Sequence, residues 1–371
     1  MDLAREQVSR GHSVGLVVDS LTGGERAAEA LRQIAPTLEL GILRLPIQRQ
    51  PHPRDALRII QIDAHASRLN VDVIHGHGSK GGLYARAPGL LRRQPNAIRC
   101  YTPHGGSFNH VTESLVHHIY MNVERLLAHV TSVLLFESVY IADRFHDRIG
   151  ETRALVRTVQ NGISPGEFER VPPNPDAADL LYVGELRAAK GIDTLLDATA
   201  MLSRKLERPI SLVLVGSGPD QDKLDRQARA LGISDQVSFP GALPARTAFG
   251  LGKLLVVPSR AESLPYIVLE AAGAQIPMVA TDVGGIGEIF GPYRGRLIRP
   301  DNPSILASAI EDMSQLDPQV VRKQADDLAA FVAKRFSISK MADSVMLGYR
   351  DAFANRDRAP RDPKRAYALP F

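Results

Sequence analysis

At 371 residues the chain is long for one hydrophobic core and comfortable for two, since domains cluster near about 100 to 200 residues. Hydrophobic residues make up 44% and charged residues 23%, a balance that excludes a disordered or fibrous chain. Lys and Arg total 45 against 41 acidic residues, for a net charge of +4, and with scattered arginines and only 5% aromatics this is no nucleic-acid binder, which leaves small anions or an anionic lipid surface as partners.

Residues 2–10 read as a charged helix without the apolar core of a signal peptide. No stretch approaches the roughly 20 uninterrupted apolar residues that a membrane-spanning helix needs. The chain is therefore expected in the cytoplasm, at most against the inner face of a membrane. Gly11 then turns the chain into an apolar burst at 14–19. A doubly wound lobe normally opens on its central strand, so a helix in first place predicts that the first strand of this lobe, and the loop after it, are missing. Each buried backbone group left unpaired by that loss would cost about 1–3 kcal/mol.

Short apolar bursts at 14–19, 71–75, 98–101, 133–136 and 156–160, each followed by a helical pattern, predict parallel βαβ units. Cys100, the one cysteine, reads as a small buried hydrophobe near the end of a strand, and it excludes an intramolecular disulfide. The rhythm breaks at 162–179, where Pro165, Pro172, Pro173 and Pro175 forbid a helix interior or a central strand. It resumes with bursts at 180–183, 210–215, 237–239, 254–257 and 278–280. The expected organisation is a first Rossmann-like domain over 1–162 and a second over 163–337. A C-terminal helix over 338–355 packs back on the first, and a disordered tail occupies 356–371.

The most informative segment is Pro258-Ser-Arg-Ala-Glu262-Ser263-Leu-Pro265-Tyr266-Ile267-Val-Leu-Glu270. It leaves a buried strand and enters a helix, with Pro265 suited to the first helical position. The N–H groups of Tyr266 and Ile267 and the helix dipole then make an anion site that fits a diphosphate. Glu270 is placed to accept hydrogen bonds from ribose hydroxyls, and Glu262, in the preceding loop, from the hydroxyls of a sugar. Gly216 and Gly218 lie at another strand-to-helix turn, where glycines admit a ligand or simply make a tight turn.

In the first half, His75-Gly-His77-Gly-Ser-Lys80 follows a strand and opens a helix, so its N–H groups and Lys80 are candidates for a phosphate of the acceptor. Thr102-Pro-His104-Gly105-Gly106 follows another strand. A metal site at His75, His77 and His104 is the alternative; no carboxylate lies close by in sequence to complete it.

The block from Pro258 through Glu270, continued by Gly273, Pro277 and Thr281-Asp-Val-Gly-Gly285-Ile-Gly-Glu288, closely resembles the E-x7-E region of the retaining family 4 glycosyltransferases. Val183-Gly-Glu185-Leu-Arg187-Ala-Ala-Lys190-Gly191 resembles their G-R-L-x-x-x-K-G segment, and Val159-Gln-Asn161-Gly162 their V-x-N-G signature. The resemblance covers nearly the whole chain. It implies the GT-B fold, two Rossmann-like doubly wound lobes facing a cleft, with the donor nucleotide held by the second lobe. It also implies that Lys190 grips the donor diphosphate, that the turn at Gly216 and Gly218 lines the base and ribose pocket, that His104 contacts the transferred sugar, and that neither a metal nor a cofactor is needed. Glu185 departs from the pattern, standing where arginine is usual, so Arg187 is expected to supply the second cation.

The sequence thus predicts a hexosyltransferase that moves a sugar from a UDP- or GDP-sugar to a glycan or polyprenyl-linked acceptor, with retention, in polysaccharide biosynthesis. Its catalytic residues are His104, Lys190 and Glu262. Arg187, Gly216, Gly218, Ser263, Tyr266, Ile267 and Glu270 line the donor, and His75, His77 and Lys80 stand on the acceptor side. The helix from Val111, rich in His and apolar residues, is a candidate for peripheral membrane contact. Alternatives are a sugar-nucleotide epimerase of the same fold and a truncated, non-catalytic sugar-nucleotide-binding protein.

Overall fold

In a computed structural model, residues 1–48, 50–91, 93–94, 96–109 and 115–358 are described. Contacts divide the chain into two compact units, one made of Met1–Glu137, Ala142–Val159 and the chain from Ala342 onward, the other of Ser138–Ile141 and Gln160–Met341.

The first unit begins α1 (Asp2–Ser9), β1 (Leu16–Asp19), α2 (Gly24–Ile34), β2 (Ile42–Leu45), α3 (Asp55–Leu69), β3 (Val73–His77) and α4 (Gly78–Leu90). It continues through β4 (Ile98–Thr102), α5 (Leu115–Ala128), β5 (Val133–Phe136), α6 (Val139–Ile149) and β6 (Leu155–Thr158). All pairings are parallel, but the sheet is in two pieces, β1-β2 and β3-β4-β5-β6. Among the described residues β1 pairs only with β2, and β3 only with β4.

Burial follows the division. Every residue of β4 and β5 is buried, whereas β1 is partly exposed throughout, with Val17 at 41%. The small sheet is held instead by helices: Ala4, Ile34 and Leu38 pack with Leu16 and Ile42, while Leu45, Ile62 and Tyr84 form a second cluster that ties β2 to α3 and α4. Strand β2 was not anticipated from sequence. It is four residues long, sits between Gly41 and Pro46, and carries an exposed Arg44, so it lacks the apolar run that marks its neighbours.

The second unit contains β7 (Ala178–Val183), α7 (Ile192–Lys205), β8 (Leu212–Val215), α8 (Gln221–Ala230), β9 (Val237–Gly241), α9 (Ala245–Phe249), β10 (Gly252–Val257), α10 (Tyr266–Gly273), β11 (Met278–Ala280), α11 (Ile286–Phe290), α12 (Pro303–Gln315) and α13 (Pro318–Arg335). Its parallel sheet runs β11-β10-β7-β8-β9. Leu180, Tyr182, Leu212, Leu214, Leu254 and Val256 face a core built with α7, α8 and α12. Leu181, Val215, Leu255 and Val257 face the other, built with α10, α11 and α13. A sheet buried on both faces needs apolar residues at every position, which is why these strands read as continuous runs rather than alternating ones. Both units are Rossmann-like α/β lobes.

The last helix, α14 (Ile338–Arg358), is longer than expected and takes in residues 356–358, which the sequence reading assigned to the tail. The remainder of that tail, and Val111 at the start of the proposed membrane helix, lie outside the described residues. The segment 162–179 is not featureless: it holds a short 3-10 turn over Pro165–Phe168.

Candidate functional site

In the second unit the chain fills one side of the sheet from β7 through β8 to β9, then crosses to β10 and β11. The strand order therefore reverses between β7 and β10, and at such a point loops diverge and leave a crevice at the carboxyl ends of the strands. The loops there are Gly184–Gly191 and Pro258–Pro265, the two that the sequence singled out.

Backbone contact locks these loops together. Arg260 N–H donates to the Ala189 carbonyl at 2.9 Å, and a side chain on Gly191 would meet the Pro258 carbonyl oxygen at 2.1 Å, so only glycine allows the approach. Sequence reasoning missed the clamp that reinforces it. The Arg260 guanidinium bonds both oxygens of Asp193, at the start of α7, at 2.8 and 2.9 Å, and also reaches the Ala188 carbonyl at 2.6 Å and the Asp301 carboxylate. Burial works to raise the Asp193 pKa, but Arg260's hydrogen bond and charge outweigh it and leave the carboxyl below its ordinary value. An arginine directly inside a motif, followed in space by an acid at a helix start, was the available signal.

Within this frame Lys190 and Glu262 meet: the Lys190 Nζ donates to Glu262 Oε1 at 2.6 Å, and the Ser259 hydroxyl donates to the same oxygen at 2.8 Å. Both side chains are mostly buried, at 16% and 9% exposure, so the pair sits in a low-dielectric pocket rather than on a solvated face. Arg187 is held differently. Its Nε lies 2.9 Å from Glu185, and both side chains are more than 40% exposed. The cation offered as a substitute is thus partnered by the carboxylate that stands in the usual arginine position.

Helix α10 starts at Tyr266, one position later than expected, with Pro265 as its N-cap rather than its first helical residue. The N–H groups of Val268 and Leu269 donate to the Pro265 carbonyl at 3.2 and 3.4 Å, and Glu270 lies one turn on. Ser263 accepts Gly285 N–H through its carbonyl at 2.8 Å, which fixes the loop below α10. Gly216 and Gly218 play a visible packing part. Side chains there would strike the carbonyl oxygens of Gly184 and Leu186 at 1.8 and 2.3 Å, so what these glycines admit is the neighbouring loop.

In the first unit the three candidate histidines come together at the ends of β3 and β4. His75 is engaged at both nitrogens, Nδ1 with the Tyr349 hydroxyl of α14 at 2.7 Å and Nε2 with the Thr102 hydroxyl at 2.8 Å. His77 stacks on it, ring centroids 4.0 Å apart, and its Nδ1 lies 3.0 Å from His104 Nε2. Burial lowers the pKa of all three: well below the ordinary value for His75, to about 3 for His77, where the charge of His104 and the chain's amino terminus add to it, and more modestly for His104. The shifts all favour the neutral imidazole. Lys80 does not join them. Its ammonium pairs with Asp55 at the start of α3, which also accepts from the Tyr84 hydroxyl at 2.6 Å. Among the described residues, no group of three or more His, Cys, Asp or Glu is arranged to hold a metal ion.

Two family models match the chain: Glycosyltransferase Family 4 over residues 1–167 and Glycosyl transferases group 1 over residues 165–329. It is similar to the alpha-D-kanosaminyltransferase of Streptomyces kanamyceticus, 31% identical over 180 residues that cover 47% of this chain and 46% of that protein. The chain thus spans about half the length of this relative, and 48–61% of three others, glycogen synthases of Mycobacterium tuberculosis among them. Among solved structures, sucrose-phosphate synthase from Thermosynechococcus elongatus superposes with a TM-score of 0.76 at 21% identity, covering 95% of this chain and 92% of that one. HepE of Anabaena, in complex with UDP and glucose, gives 0.75 at 18% identity, covering 94% and 95%. At such identities these two likenesses speak for the shared fold, that of GT-B glycosyltransferases.

Proposed function

Because the chain carries both domains of the group 1 and family 4 glycosyltransferases and belongs to them, we propose that it transfers a hexose from a UDP- or GDP-sugar to a hydroxyl of a glycan or polyprenyl-linked acceptor in polysaccharide biosynthesis. The observation that carries this reading is the buried Lys190–Glu262 pair at the strand-order reversal, directly before the start of α10.

The hard step is departure of the nucleoside diphosphate, whose developing negative charge needs a preorganised cation and N–H donors. Lys190 and the first turn of α10, with Tyr266 and Ile267, supply them. Glu262, already oriented by Lys190 and Ser259, accepts from a sugar hydroxyl, and Glu270 from the ribose. Arg187 contributes from a solvated position, and Gly216, Gly218 and Ser263 shape the pocket wall. No carboxylate stands out as a nucleophile, so attack on the same face, with the leaving phosphate taking the acceptor proton, gives retention. His104 contacts the transferred sugar. On the acceptor side His77 lies beside His104, while His75 and Lys80 act through the Tyr349, Thr102 and Asp55 contacts that hold them.

A lipid-linked acceptor is supported by α5. Ile119, Val123 and Leu126 line one exposed face of that helix, at 55%, 39% and 44%, while Met121, Glu124 and Leu127 form its buried face. His118, Arg125 and His129 edge the exposed stripe and no exposed acid interrupts it, a pattern that suits an anionic membrane surface. No helix among the described residues is long and apolar enough to cross a membrane.

The deciding experiment is ligand-detected binding across UDP-, GDP- and ADP-sugars, followed by donor turnover with and without glycan or polyprenyl-phosphate acceptors. Binding of none of these donors would overturn the reading. Donor turnover to a changed sugar without acceptor would replace it by epimerisation.

A further inference from the structure

His104 leaves β4 in the left-handed region, φ +51°, and is followed by Gly105 and Gly106 at +73° and +39°. Three such residues in succession take the imidazole off the strand, where ladder hydrogen bonds no longer direct it, and a left-handed histidine is itself an uncommon, strained conformation. Its orientation must therefore come from side chains, and the structure supplies them in series. Tyr349 and Thr102 hold both nitrogens of His75, so that ring cannot rotate. Gln7 of α1 lies 3.5 Å behind the Tyr349 hydroxyl and supports it. His77 lies on the fixed ring at an interplanar angle of 29° and extends Nδ1 to His104 Nε2.

A neutral imidazole carries one N–H, and its other nitrogen is an acceptor. Desolvation first, then the His104 ring and the charge of the chain's amino terminus oppose a positive charge on His77, whose ring neighbours are His75 and His104. A single proton therefore lies between His77 Nδ1 and His104 Nε2. Whichever ring supplies it, the remaining nitrogen of His104, Nδ1, is committed to one role, donor or acceptor.

We infer that His77 is a positioning residue: its hydrogen bond fixes both the orientation and the tautomer of His104, so that His104 Nδ1 meets a substrate hydroxyl in one hydrogen-bonding state only. The inference rests on the reading that His104 contacts the transferred sugar. His75, pinned by a residue 274 positions away, is the platform that makes this possible.

The test compares His77→Phe, which keeps a ring to stack on His75 but removes the hydrogen bond, with His77→Asn, whose amide can replace Nδ1. Nitrogen chemical shifts of the His104 ring report its tautomer, and steady-state kinetics report its consequence. One His104 tautomer is expected in the parent and in His77→Asn, and a mixture in His77→Phe. The kcat of His77→Phe should fall about tenfold to a hundredfold, the range found when a partner that orients a functional histidine is lost, with donor KM little changed and most of the rate recovered in His77→Asn. A parent-like tautomer and kcat in His77→Phe overturns the inference, as does a His77→Asn variant no better than His77→Phe. If His77→Phe does not fold, a mixed His104 tautomer in His77→Asn overturns it equally. His104→Ala separates the two levels: unchanged transfer in that variant defeats the role given to His104, while the ring shifts still decide whether His77 sets its tautomer.

Discussion

The Lys190 ammonium lies 2.6 Å from the Glu262 carboxylate, in a pocket where both side chains are more than four-fifths buried. On the proposed reading one residue serves a diphosphate and the other a sugar, so the resting site stores each charge against the other. Lys190→Ala should lower kcat by about a hundredfold to a thousandfold, as for loss of one preorganised electrostatic contact. It should also destabilise the fold by about 1–3 kcal/mol by leaving a mostly buried carboxylate without its cation. Adding Glu262→Gln should restore much of the melting temperature but not the rate. Restoration of both would remove Lys190 from the chemistry.

Arg187 and Glu185 form the contrasting pair, more than 40% exposed on both sides. Exposed pairs contribute about 0–1 kcal/mol, so Arg187→Ala should change kcat/KM by less than about fivefold and leave the melting temperature unaltered. Measured beside Lys190→Ala under the same conditions, a comparable loss would show that Arg187 grips the donor after all.

Glu270 stands one turn into α10. Glu270→Ala should weaken donor binding by about 1.5–3 kcal/mol, roughly tenfold to a hundredfold in Kd, through loss of charge-assisted bonds to ribose. Isothermal titration of a folded variant with the preferred nucleotide sugar checks this, and an unchanged Kd would move the ribose elsewhere.

Stability should depend on the histidines. In the unfolded chain they take protons near pH 6.5, whereas His75, His77 and His104 are held below that value in the folded protein, and burial with the Arg68 charge lowers His65 in the same direction. Below about pH 6.5 the unfolded state therefore binds more protons, and stability falls as pH drops. It is fully present above that pH. Melting curves between about pH 7 and pH 5, above the range where carboxylates titrate, should show the decline, and His77→Asn should flatten it. A melting temperature that rises towards pH 5 would contradict the lowered histidine pKa values.

The small sheet should be the weakest part of the first unit. Two paired strands are marginal by themselves, and β1 depends on helix contacts for its burial. Amide exchange of Leu16 and Ser20, which bond to β2 and to the residue before it, should run about a hundredfold faster than that of the fully buried β5 amides. Equal protection would show that the divided sheet opens only with the whole unit.

Much of this protein is determined locally. Runs such as Leu180–Val183 and Leu254–Val257 specify strands buried on both faces, because only a doubly covered sheet tolerates apolar residues at every position. Pro265 and the glutamates around it mark a helix start, because a proline lacks the N–H that the first turn does not use. These signals lie within a few residues of one another, so the sequence alone carried them, together with the resemblance that gave the fold. β2 escaped because four residues with an exposed arginine among them, only Leu45 of them buried, carry no such signal. What the sequence could not determine are the partners. Lys190 and Glu262 are 72 positions apart and His75 and Tyr349 274 apart. Periodicity tells which face a side chain occupies, but not which loop or helix is set against it. In the second unit that depends on the strand-order reversal between β7 and β10, in the first on the path of α14, and only the folded chain decides it.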